Sequence, residues 1–186
     1  MQITLLRHGK PEFELSGNVK ACELSEIAKY YDLSGIIDAP PKEAITQTKM
    51  QDIIVCSNLP RSLQSAKALG VTEVYLATPV FREASIPHFS SGSIKLPINA
   101  WVILLRGLWY FGFSKNGESL VATKERAKQA TQELIRMAKQ FDSVLLVGHG
   151  FINHFIAKEL LSQKWRGPKK PASDYWNYSV YQYNAT

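Results

Sequence analysis

Ser143-Val144-Leu145-Leu146-Val147-Gly148-His149-Gly150 is an apolar run that ends at a histidine between two glycines. Four successive apolar side chains predict a strand over Ser143–Val147 covered on both faces, as in a parallel sheet. Upstream, Ala127, Ala130, Leu134, Met137, Ala138 and Phe141 recur at three and four, which predicts a long helix over about Leu120–Gln140. Downstream, Phe151–Ser162 reads as a helix, and the alternating, aromatic-rich stretch Tyr175–Tyr183 as a last strand.

The same shape opens the chain. Gln2–Leu6 is a short apolar run leading into Arg7-His8-Gly9. A third apolar run, Ile53–Cys56, leads into Ser57-Asn58 as a helix cap and a helix over Leu59–Leu69 that ends at Gly70 and carries Arg61 in its first turns. Further helices are expected over Ala21–Tyr31 and Thr46–Gln51, and short strands at Glu73–Leu76 and Val80–Arg82. Strands alternating with helices predict an α/β fold with a mostly parallel sheet. The carboxyl edge of such a sheet is where ligands bind, so three strand ends deliver two arginines and two histidines to one place. Helix N-termini add backbone N–H groups and positive dipole ends. This collection suits a dianionic phosphoryl group.

The chain has 186 residues, a net charge of +6, 45% hydrophobic and 20% charged residues, values of an ordinary globular domain rather than a disordered chain. Two cysteines, Cys22 and Cys56, make neither a disulfide framework nor a zinc site. With no secretory signal at the N-terminus, a cytoplasmic location is expected. The positive balance favours anionic partners. Lys164–Lys170 is the nearest approach to a basic run and reads as a solvated loop, so no nucleic-acid partner is expected. Ile94–Phe113 is unusually apolar, but Arg106 interrupts it and its unbroken apolar run is only Ala100–Leu105. It reads as a buried or lid-forming helix, with a dimer face as the alternative and no membrane partner expected.

Leu5-Leu6-Arg7-His8-Gly9, Ser57-Asn58-Leu59-Pro60-Arg61-Ser62, Arg82-Glu83, Gly117-Glu118-Ser119 and Val147-Gly148-His149-Gly150, in that order, resemble the histidine phosphatase (phosphoglycerate mutase-like) superfamily. The resemblance spans nearly the whole chain. It implies a single domain over 1–186, a three-layer α/β/α fold with a mostly parallel central sheet, and a short apolar helical lid insertion at about 84–116. It also implies a phosphatase acting on a phosphorylated small molecule through a phosphohistidine. His8 is then the nucleophile, Arg7, Arg61 and His149 the clamp on the phosphoryl oxygens, and Glu83 the general acid and base, with His88 in reserve. A carboxyl among anionic oxygens is expected to hold its proton more tightly, which suits a donor. Gly9, Lys10 and Gly150 are candidate phosphate or substrate contacts. No metal and no cofactor is implied, because the arginines supply the positive charge.

The chain departs from the family pattern at three places, mildly at Asn58, where the family often has Asp. Lys10-Pro11-Glu12-Phe13 follows the first motif without the usual asparagine contact to phosphate, for which Ser16 or Asn18 is the expected substitute. Ala84-Ser85-Ile86-Pro87-His88 replaces the usual glycine-aromatic stretch after Glu83, which argues against a mutase. Two alternatives to the phosphomonoesterase stand: a phosphatase of phosphohistidine in a partner protein, and a phosphate-binding module without turnover.

Overall fold

The computed structural model describes residues 1–13 and 16–184. Five strands form the central sheet in the order β4-β3-β6-β1-β7: β4 (Leu76–Thr78), β3 (Ile53–Ser57), β6 (Ser143–Gly148), β1 (Gln2–Arg7) and β7 (Tyr178–Gln182). All neighbours run parallel except the edge pair β1–β7, which is antiparallel. The mostly parallel α/β sheet expected from the apolar runs is therefore present.

Strand alternation sorts the core into two layers. Ile3, Leu5, Val144 and Leu146 face the long helix α5 (Leu120–Phe141) and α6 (Gly150–Ser162), burying Leu134, Met137, Ile156 and Leu160 there. Leu6, Leu145 and Val147 face the other way, onto Ala44 of α2 (Lys42–Lys49) and Ala66 of α3 (Pro60–Ala68). Each fully buried leucine or methionine is worth about 1.5–3 kcal/mol, so the two faces together hold the three layers.

A third cluster joins α1 (Leu24–Leu33) to α4 (Ile98–Tyr110) through Leu24, Ile98, Trp101 and Leu105. A two-stranded sheet links the same regions, β2 (Asn18–Lys20) pairing antiparallel with β5 (Lys95–Pro97). Helix α4 buries one face, Trp109 reaching the main core, and leaves Ile103 and Phe111 74% and 92% exposed. No helix among the described residues is long and apolar enough to cross a membrane.

Several element readings need correction. Pro41 caps a helix, so α2 starts at Lys42 rather than Thr46 and ends at Lys49. Helix α1 begins with a 3₁₀ turn, Ala21–Glu23, and runs on to Leu33. Residues Pro79–Phe81 form a 3₁₀ turn where a strand was expected at Val80–Arg82, because Pro79 fits the first turn of a helix and offers no ladder N–H. Leu59, not Ser57 or Asn58, occupies the cap of α3, and its own side chain caps no N–H; the Ser57 hydroxyl accepts from Leu59 N–H and also reaches into the site.

Candidate active site

The register of β1 on β6 builds the centre. Arg7 pairs with Gly148, so the residues that follow, His8 and His149, emerge side by side. Their ring centroids are 4.8 Å apart, both rings are buried, and His8 N–H donates to Gly148 O at 3.1 Å. Two glycines make room. A Cβ on Gly148 would come within 2.4 Å of Asn153 Oδ1, and one on Gly9 within 2.3 Å of the Trp176 ring. Trp176 itself sits at φ +64°, a backbone strain of order 1–3 kcal/mol held next to the site.

The two rings are oriented oppositely. His8 Nδ1 lies 2.6 Å from Gly9 O. A carbonyl oxygen only accepts, so Nδ1 carries the proton and Nε2 keeps its lone pair. Burial, the Arg61 charge and the Arg7 charge push the His8 pKa down to about 3, against a hydrogen bond to Gly9 that raises it. The ring is neutral at any ordinary pH, and its Nε2 lone pair stays available. His149 instead turns Nε2 to Ser57 Oγ at 2.6 Å. Ser57 Oγ also accepts from Leu59 N–H, and its hydroxyl proton has no other acceptor among the described residues. Ser57 therefore donates to Nε2, which places the His149 proton on Nδ1. Burial and then the neighbouring His8, Arg61, Arg7 and Arg126 hold the His149 pKa well below its usual value.

The arginines are anchored by their far ends. Arg61, 1% exposed, gives Nη1 to Tyr31 O at 2.9 Å and Nη2 to Asp32 Oδ1 at 3.5 Å, at the C-terminal turn of α1, the negative end of that helix. Arg7 gives Nη1 to Ser173 O and lies over the Tyr175 ring at 4.1 Å. What remains is Arg7 Nε, Arg61 Nε and His149 Nδ1, three buried donors with no partner among the described residues. All three belong to residues whose charges act on one another around His8. A cluster of buried donors without acceptors is costly in a folded chain and marks an anion site.

Glu83 lies against the N-terminus of α6. Its Oε1 accepts from Ala84 and Ile152 N–H at 2.9 and 3.0 Å, its Oε2 from Phe151 N–H at 3.1 Å. Three backbone donors thus hold this carboxyl in place. Arg126 fixes the approach to this residue, donating to Val80 O, Arg82 O and Glu83 O while pairing through Nε and Nη2 with both oxygens of Glu118. That pair lowers the Glu118 pKa against the cost of its burial. A cavity of about 330 Å³ opens beside Arg7, Glu83 and Gly150, lined further by Tyr110, Phe151, His154 and Ser173. A depression of about 420 Å³ between Leu76, Thr78 and Gln129 lies at the sheet edge and has no histidine or arginine in its lining.

The structure therefore brings Arg7, His8, Arg61, Glu83, His149 and Gly150 together. Ser16, Asn18 and His88 lie elsewhere, and the backbone donors of Gly9 and Lys10 are already used. Gly9 N–H is spent on Ser65 Oγ at 2.9 Å, and Lys10 N–H on Asp38 Oδ1 at 2.7 Å. Ser16 and Asn18 are exposed, beside or within β2, and neither bonds a site residue. His88 is tied into its own loop, through Lys115 O, Ile86 O and Asn116, and is not among the cavity lining. Among the described residues no group of three or more His, Cys, Asp or Glu could hold a metal ion. Ser57, Tyr31, Tyr175 and Arg126 were missed. Ser57 lay in a quoted motif, and Glu118 in another, just before α5, invited a basic partner in the first turns of that helix. The tyrosines left no local signal.

The profile of the histidine phosphatase superfamily, branch 1, matches residues 3–186. This chain belongs to that superfamily. No curated protein matches it in sequence. Among solved structures it is similar to the product of open reading frame Rv3214 of Mycobacterium tuberculosis, with a TM-score of 0.63 and 16% identity over 98% of this chain and 91% of that one. It is also similar to a histidine-to-alanine variant of phosphoserine phosphatase from Entamoeba histolytica in complex with phosphoserine, with a TM-score of 0.59 and 18% identity over 96% and 89%. Mycobacterial glucosyl-3-phosphoglycerate phosphatase with inorganic phosphate gives a TM-score of 0.56 and 20% identity over 87% and 79%. At these identities the likeness is one of fold.

Proposed function

We propose that this chain hydrolyses a phosphomonoester of a small molecule through a phosphohistidine on His8. The observation that carries the reading is the set of three buried, unpartnered donors, Arg7 Nε, Arg61 Nε and His149 Nδ1, around a histidine whose Nε2 lone pair is free. Family membership and the phosphatase names of structural neighbours support it. Nε2 attacks phosphorus, and the three donors take the charge that spreads over the phosphoryl oxygens as the ester bond breaks. The leaving oxygen takes a proton from Glu83. Water then attacks the phosphohistidine, returns a proton to Glu83 and releases phosphate. His8 needs no base, because Gly9 O already holds its only proton on Nδ1. No step requires a metal or cofactor.

The leaving group fits the cavity at Tyr110, Phe151, His154 and Ser173. Tyr110 comes from α4, so the 84–116 segment supplies part of one wall of this cavity, which supports its reading as a lid. An enclosing wall favours a small phosphorylated molecule over a phosphohistidine presented by a protein.

Acid-labile phosphate on His8, trapped by rapid quench during turnover of an aryl phosphate and absent in His8→Ala, is the expected result. Steady turnover with no adduct at any quench time overturns the covalent mechanism. In the same experiment Glu83→Gln should slow formation of the adduct far more with an alkyl than with an aryl phosphate, because only the alkoxide needs its proton. Equal slowing removes Glu83 as the acid.

A further inference from the structure

We propose that the Tyr31 hydroxyl is a ligand of the phosphoryl group, the neutral donor that completes the arginine and histidine clamp. The inference rests on the phosphatase reading of the same site and names a group that neither the motifs nor the family pattern pointed to.

Tyr31 stands in the last turn of α1, and Arg61 holds it from two sides. Its carbonyl oxygen accepts from Arg61 Nη1 at 2.9 Å, and the Arg61 guanidinium lies over its ring at 4.7 Å. The ring therefore stands against one member of the clamp. Arg61, Tyr175, Glu83 and Arg7, which come from four separate parts of the chain, all act on it electrostatically. Tyr175 in turn lies under Arg7 and 5.7 Å from the His8 ring. The two tyrosines thus bracket the two arginines. The Tyr31 hydroxyl itself makes no hydrogen bond to another described residue. Burial raises its pKa above the usual value, so it keeps its proton.

The chemistry has a place for such a donor. Both arginines spend terminal nitrogens on the protein, Arg61 on Tyr31 O and Asp32, Arg7 on Ser173 O. Each therefore offers the anion less than its full fork. Three phosphoryl oxygens can accept more than the three bonds from Arg7 Nε, Arg61 Nε and His149 Nδ1. Ser16 and Asn18, the neutral donors expected from sequence, lie on the exposed β2 side and do not supply the fourth.

The test is Tyr31→Phe in the full chain. The variant keeps the ring over Arg61 and the carbonyl that holds Nη1, and removes only the hydroxyl. Binding of orthovanadate and of inorganic phosphate is measured by titration calorimetry, beside kcat/KM for an aryl and an alkyl phosphate and the thermal midpoint. Anion affinity should weaken roughly tenfold or more, the usual worth of a hydrogen bond to a charged group. Both substrates should lose kcat/KM by a similar factor, with the midpoint unchanged. Unchanged anion affinity overturns the proposal, as does a loss confined to the alkyl substrate, which would mean proton delivery. If Tyr31→Phe binds vanadate normally while His8→Ala abolishes turnover, Tyr31 is removed and the phosphatase reading stands. If vanadate binding weakens but the wild-type chain forms no phosphohistidine, Tyr31 stands and the covalent mechanism falls.

Discussion

The ends of β1 and β6 are near copies: an apolar strand, a histidine, a glycine, the two histidines adjacent by register. Their hydrogen bonds are mirror opposites. His8 turns Nδ1 inward to its own Gly9 carbonyl and offers Nε2 as a lone pair. His149 turns Nε2 inward to the Ser57 hydroxyl and offers Nδ1 as a donor. One partner is an obligate acceptor and the other donates, and that alone makes one imidazole electron-rich toward the site and the other proton-rich. The strand-end pattern brings the rings to the same place; the second nitrogen of each decides what its ring can do.

The widest break in this comparison comes from replacing each histidine by asparagine, whose amide can imitate the Nδ1 donor but not an Nε2 lone pair. His8→Asn should lose the phosphohistidine entirely, with turnover down on the order of 10⁴-fold or more. His149→Asn should keep the adduct and lose about 10²-fold, since a donor remains but is displaced. Quench analysis of both variants checks this; loss of the adduct in His149→Asn would erase the distinction.

A smaller effect follows from Ser57. Ser57→Ala leaves His149 Nε2 with nothing to receive a proton from, so the ring is free to carry its proton on either nitrogen. About a tenfold loss in kcat/KM is expected, restored by Ser57→Thr. Nitrogen chemical shifts should move His149 away from the Nδ1–H form, and an unchanged tautomer would show that Ser57 does not set it.

The smallest effect concerns what the two rings share. The native pKa of His8 is about 3 and that of His149 lies well below 6.5, while an unfolded histidine titrates near 6.5. Between those values the unfolded chain binds protons that the native chain does not. Stability is then full above about pH 6.5 and declines as pH falls from there toward 3, by up to ~1.4 kcal/mol per pH unit for each histidine. Urea unfolding at pH 7 and pH 5 should show the decline, and His8→Asn should flatten it by about one proton's worth. Equal slopes in both chains would mean that His8 is protonated while folded.

How much of this was readable beforehand follows the distance between contacting residues. The apolar runs of β1, β3 and β6 and the stripe of α5 were legible because burial on both faces or on one face leaves a local period. The glycine-flanked histidines were legible for the same reason, as was Arg61 one turn after a strand. The anchors were not. Ser57 reaches His149 across 92 positions, Arg61 meets Tyr31 across 30, and Arg7 meets Ser173 across 166. No period records such meetings. The starts of α2 and of the Pro79 turn were hidden in a simpler way: proline breaks a helix interior yet opens a helix or a 3₁₀ turn comfortably, and only the backbone after it tells which.

Strand β1 carries His8 but has no early neighbour in the sheet. It pairs with β6, which starts at residue 143, and with β7, which starts at residue 178. On the ribosome, β1 must therefore wait for β6 and β7. Until residues 173–176 emerge, Arg7 lacks its carbonyl anchor and its tyrosine platform, and Gly9 lacks the Trp176 ring that packs on it. The site is thereby timed as well as placed: His8 is made early, and the contacts that hold Arg7 and pack Gly9 arrive only with residues 173–176.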